Sequence, residues 1–164
     1  MQTFRDTQGR SWHVVINIGA VLRVRDAVGV DLLKPEGIAA PGEPPLAQRL
    51  LSDDLLLMEV IGAILAPDLA AAGVKQDAFY DAIGGATLLD IRNAFIQELS
   101  DFFTGANQTD RVTLLTVQAE VLNAYHKEAK EIYEREGKAR LDGGIYGKPP
   151  AESDSTPDHS PTGK

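Results

Sequence analysis

The chain has 164 residues, enough for one domain with room for a tail, and 43% of them are hydrophobic, enough for a core. Sixteen basic against twenty-four acidic residues leave a net charge of −8, which argues against a nucleic-acid binder, whose footprint is a basic face. With no cysteine there is neither a disulfide framework nor thiolate chemistry, and no apolar run approaches the ~18–20 residues of a membrane span.

The opening MQTFRDTQGR is polar and charged, unlike a signal peptide, so the chain reads as cytosolic. TFRD and SWHVVINI flank the short turn Thr7-Gln8-Gly9, the pattern of a β-hairpin. Trp12, Val14, Ile16 and Ile18 alternate onto one face, and the loop length sets Phe4 opposite Trp12. A lone hairpin is marginal, so this one must pack on something. A short helix from Gly19 to Val28 follows, with Asn17 as N-cap and Gly29 as stop. Val30 to Leu33 reads as a third short strand, giving a ββαβ unit over residues 1–34. Residues 35–45, PEGIAAPGEPP, read as a linker, because proline and glycine cannot sustain a helix.

The helical domain is expected over residues 46–140. It begins with about one turn from Leu46 to Leu51. A helix from Asp53 to about Ala66 follows, with Ser52 as N-cap; Pro67 ends it or opens another short turn. Gln76 to Ile83 forms a short helix. Gly85 to Gly105 carries the densest helical spacing of large apolar residues, with Leu88, Ile91, Phe95, Leu99 and Phe102 on one face, and reads as the central helix. A long helix runs from about Thr109 to Arg140, with Leu114, Val117, Val121, Tyr125 and Ile132 sustaining a face that Glu128 interrupts. Residues 141–164 are rich in Gly, Pro, Ser and Asp, the composition of a disordered tail. The expected fold is mainly α, with a small N-terminal β element.

No reaction centre stands out. His13, His126 and His159 are scattered, whereas a metal site needs clustered ligands, so no metal and no cofactor is expected. Asp53-Asp54, with Glu59 and Asp68, suits a helix start better than carboxylate chemistry. Gly84-Gly85-Ala86-Thr87 precedes a helix but lacks the lysine and the spacing of a phosphate loop. Arg23 and Arg25 make too small a basic patch for DNA. The stronger feature is Tyr125, Ile132 and Tyr133 on the charged half of the last helix. Large residues on a wet helix mark an interface, against the alternative that they fold back on the domain.

The serial order of these pieces resembles tail assembly chaperones of long-tailed bacteriophages and prophages. The resemblance runs from FRDTQGRSWHVVINIGAVLRVRDAVGVDLL through LLSDDLLLMEVIGAIL and GVKQDAFYDAIGG to a helix ending in FF, roughly Phe4 to Phe103. It implies a non-enzymatic protein of the host cytoplasm that binds the tape measure protein and helps recruit tail tube subunits. It transfers no binding residue position by position. The expected partners are those two proteins, with a second copy of the chain as a further candidate, and no nucleic acid or membrane. The competing class is a virion component such as a head–tail connector or minor tail protein.

Overall fold

The computed structural model describes residues 1–142, so the expected disordered tail lies outside the described residues apart from Leu141 and Asp142, which belong to the last helix. Among the described residues the order is β1 (Gln2–Arg5), β2 (Ser11–Val14), α1 (Ile18–Val28), α2 (Leu46–Ser52), α3 (Asp54–Ala71), α4 (Gln76–Tyr80), α5 (Gly85–Gly105) and α6 (Thr109–Asp142). The fold is mainly α with an N-terminal hairpin. The chain divides into two compact units, Met1–His126 and Lys127–Lys164.

The first unit starts with the hairpin. β1 and β2 pair antiparallel with Phe4 opposite Trp12, the register expected from the loop length. Phe4, Trp12, Val14 and Ile16 are buried. Ile18 is not, because the strand ends at Val14 and the chain turns into α1. The Asn17 side chain accepts the Ala20 N–H at 2.9 Å and starts that helix. Gly29 ends it at φ 78°, a left-handed conformation that glycine adopts at no steric cost.

The third strand does not form. Asp31 accepts the Leu33 N–H with its side chain and the Lys34 N–H with its backbone, and those turns close the segment before it can pair. The sheet is therefore two-stranded and the unit is ββα, not ββαβ. Residues 35–45 lie inside the first compact unit and are tied to it: the Pro35 and Gly37 carbonyls accept the Ala47 and Leu46 N–H groups at 2.8 Å.

The most enclosed helix is α3, not α5. From Leu55 to Ala66 it carries one charge, Glu59, and a helix that is apolar nearly all round belongs in an interior. α1, α2, β2, α4 and α5 all pack on it. Asp53, not Ser52, caps it, accepting the Leu55 and Leu56 N–H groups at 3.0 Å; Ser52 closes α2 by donating to the Gln48 carbonyl. Gly62 is where α4 comes close: a Cβ there would lie 2.3 Å from the Tyr80 hydroxyl.

Pro67 does not end α3, which runs on to Ala71. Proline has no N–H, so the Ala63 carbonyl loses its partner one turn back. Arg23 of α1 replaces it: Nε donates to the Ala63 carbonyl at 3.1 Å and an Nη to the Ile64 carbonyl at 3.0 Å. A side chain of α1 thus completes α3.

α5 occupies Gly85–Gly105 as its spacing predicts, packed on β1, β2 and α3. Its buried face is Thr87, Ile91, Ala94, Phe95, Glu98, Leu99 and Phe103, turned slightly from the expected stripe. Glu98, a charged residue on that face, is buried, with its carboxylate 2.8 Å from the Met1 amino group. At the centre of the aromatic cluster sits Phe79 of α4, edge-on to Trp12 at 5.5 Å and tilted against Phe4 at 6.4 Å. Such pairs add about 0.5–1.5 kcal/mol each beyond burial.

Candidate functional site

The first turns of α6 are anchored. Leu115 is buried, and Val112 and Leu114 pack partly against the core. Arg111 reaches three groups: it donates to Glu36 and to Gln108, each at 2.8 Å, and its guanidinium lies over the Phe103 ring. The Arg111 hydrogen bond holds the Glu36 carboxyl below its ordinary value.

From Val117 outward the helix changes character. Val117, Val121 and Tyr125 step by four, and each step turns only ~40° about the axis, so all three share one stripe. They are 47%, 60% and 67% exposed. On one flank Val121, Leu122, Tyr125 and Gln118 meet Gln48, Leu51 and Ser52 of α2 across a groove of about 300 Å³. Its walls are apolar and its polar groups are two amides, of Gln48 and Gln118, and two hydroxyls, of Ser52 and Tyr125. That arrangement can seat apolar side chains of a partner helix and has no acid–base or nucleophilic pair.

The expected trio is divided between the two units. Tyr125 joins Val121 and Leu122 at the groove. Ile132 and Tyr133 belong to the second unit, 38% and 78% exposed. Adjacent residues of a helix stand ~100° apart around its axis, so these two do not share a face. Within that unit Lys130 and Glu134 form an i,i+4 pair at 3.8 Å.

Val117 and Val121 were expected to sustain one apolar face with Leu114 and Tyr125. They lie on the exposed one, and Leu115 points inward. The sequence offers two apolar stripes on α6, one through Val112, Leu115 and Leu122 and one through Leu114, Val117, Val121 and Tyr125. Periodicity alone does not say which meets the core.

The other candidates resolve into structure. Asp53 is a cap and Asp54 pairs with Arg92. His13 lines a polar cleft of about 690 Å³ with Arg5, Asp90, Asn93 and Gln97. Among the described residues no group of three or more His, Cys, Asp or Glu is placed to hold a metal ion, and no helix is long and apolar enough to cross a membrane. No protein-family model matches the chain, and searches of curated proteins and of solved structures return no significant match.

Proposed function

We propose that the chain is a non-enzymatic interaction protein whose α6 stripe holds a helical segment of a client, and that it acts as a phage tail assembly chaperone with the tape measure protein as that client. The observation that carries the reading is the stripe Val117, Val121 and Tyr125 beside the groove on Leu51 and Leu122. A partner helix with apolar side chains at i, i+3 or i+4, and i+7 matches such a surface, and shielding those side chains keeps a long helical client soluble. The choice of client rests on the resemblance over Phe4 to Phe103. Recruitment of tail tube subunits and action in the host cytoplasm belong to the same reading.

The test is co-expression of the tagged chain with the tape measure protein of the same phage, followed by affinity capture. A soluble complex of the two is expected. A tape measure protein that aggregates equally with and without the chain would rule the reading out. Recovery of the chain as a stoichiometric part of purified virions would replace it with a structural role.

A further inference from the structure

A second apolar groove lies on the first unit away from α6. Leu55, Met58, Tyr80, Ile83 and Leu88 line about 480 Å³ of space together with the backbone of Gly84-Gly85. Leu55 is 78% exposed in the first turn of α3. The Asp53 carboxylate fixes that turn by accepting the Leu55 N–H, so the exposed leucine sits on a rigid backbone. A side chain at Gly85 would meet nothing within 4 Å, so the mouth of the groove is open there.

The charged side chains that line the groove have one sign. The charged residues in its lining are Asp54 and Glu59, with no lysine, arginine or histidine among them. Asp53 and Asp81, both exposed, neighbour the lining residues Asp54 and Tyr80 in sequence. Arg92 neutralises Asp54. The amino end of α5 at Gly84-Gly85 adds only about half a positive charge. The rim stays negative, on a chain that is itself at −8.

We infer that this groove docks a basic amphipathic helix of a partner protein. One large apolar side chain of that helix sits on Met58, Ile83 and Leu88 beside Leu55, and a flanking lysine or arginine reaches Glu59. The inference stands apart from the α6 client surface: a chain with both sites joins two partners.

The probe is a short synthetic helix with leucines along one face and lysines on both flanks, compared with the same peptide carrying glutamates in place of the lysines. Fluorescence anisotropy against the full chain is expected to give micromolar binding for the lysine peptide. The glutamate peptide should bind at least about tenfold more weakly, and added salt should narrow the difference. Leu55→Ser should raise the Kd about tenfold and Glu59→Lys about threefold or more, whereas Val121→Asp on α6 should leave it unchanged. Equal affinity for the two peptides, or an unchanged Kd in both Leu55→Ser and Glu59→Lys, overturns the inference. So does failure of the lysine peptide to bind at about 1 mM. Self-association of the chain that Leu55→Ser abolishes would make the occupant a second copy and overturn it equally.

Discussion

The indole N–H of Trp12 donates to the Asp6 carboxylate at 2.9 Å, inside the hairpin turn and out of contact with solvent. The same carboxylate accepts the Gln8 and Arg10 backbone N–H groups and the Arg10 Nε–H. One acidic side chain therefore fixes the turn, pairs the arginine and orients the tryptophan that packs against Phe79. Asp6→Ala leaves these donors without a partner, and the expected cost is about 3 kcal/mol. Trp12 is the only tryptophan of the chain, so its fluorescence during urea unfolding reports the change directly. An unaltered midpoint would show that the turn holds without Asp6.

The same carboxylate gives a pH dependence of known sign. Burial acts to raise the Asp6 pKa, but the hydrogen bonds from Trp12 and Arg10 outweigh it and hold the carboxyl below its ordinary value. A folded pKa below the unfolded one means that the stabilisation is fully present above the unfolded value, ~3.9, and is lost as pH falls through the folded value. Between about pH 4 and the folded pKa the wild-type chain should therefore lose stability more steeply than Asp6→Asn. Urea midpoints across that interval, read by Trp12 fluorescence, make the comparison. Parallel curves for the two proteins would mean that other carboxylates govern the acid limb.

Arg23 and Pro67 are expected to be coupled. Arg23→Ala strips a donor from the Ala63 and Ile64 carbonyls and should cost about 1–3 kcal/mol. Pro67→Ala restores the N–H that α3 lacks at that turn, so Arg23→Ala should cost less in its presence. A double-mutant cycle in urea is expected to show a coupling of at least about 0.5 kcal/mol. Strict additivity would mean that Arg23 acts through packing alone.

Where the sequence was legible, a local signal had a single reading. Asn17 and Gly29 bracket α1, Gly85 and Gly105 bound α5, and the three-residue turn set Phe4 against Trp12. It was not legible where one polar side chain, within the segment or far from it, decided the outcome. Val30 to Leu33 has strand composition, but Asp31 turns the chain there. Pro67 reads as a stop or the start of another short turn, and the donor that meets the carbonyls before it, Arg23, lies forty-four positions earlier. The apolar run from Leu55 to Ala66 did carry the signal of the most enclosed helix, an absence of any wet face; the larger phenylalanines of α5 drew attention from it. For the candidate site, Tyr125 was found as an aromatic on a wet helix. Val117 and Val121 share an apolar stripe with Tyr125, but α6 has a second one through Leu115, and only packing decides which of the two meets the core.

Phe79 tests the aromatic cluster. It is fully buried and touches rings from the hairpin and from its own helix, although α4 is only five residues long. Phe79→Ala should cost about 3–5 kcal/mol, comparable with Phe95→Ala in α5. If Phe79→Ala cost less than about 1 kcal/mol in chemical denaturation, the hairpin would be held by Asp6 and by the hydrogen bonds that the Thr7 hydroxyl and N–H donate to the Ala82 carbonyl, not by this ring.

The last prediction separates the two parts of α6. Val121 is mostly exposed beside the groove, whereas Leu115, six positions earlier, is buried. Val121→Asp removes apolar surface that the fold does not use, so circular dichroism and the urea midpoint should stay within about 0.5 kcal/mol of wild type. Leu115→Ala should lower stability by about 2–5 kcal/mol. The two variants thus distinguish a binding face from a packing face on one helix. In the capture assay Val121→Asp and Tyr125→Asp should reduce client recovery about tenfold, because a charge at the centre of an apolar contact is desolvated without a partner. Ile132→Asp with Tyr133→Asp, in the second unit, should also leave the first unit folded. If that pair lowers recovery as strongly as Val121→Asp, the client contacts both units. If it leaves recovery unchanged while Val121→Asp abolishes it, the groove beside α2 is sufficient. Full recovery with every one of these variants would remove α6 from the binding surface and leave the groove at Leu55 as the place to look.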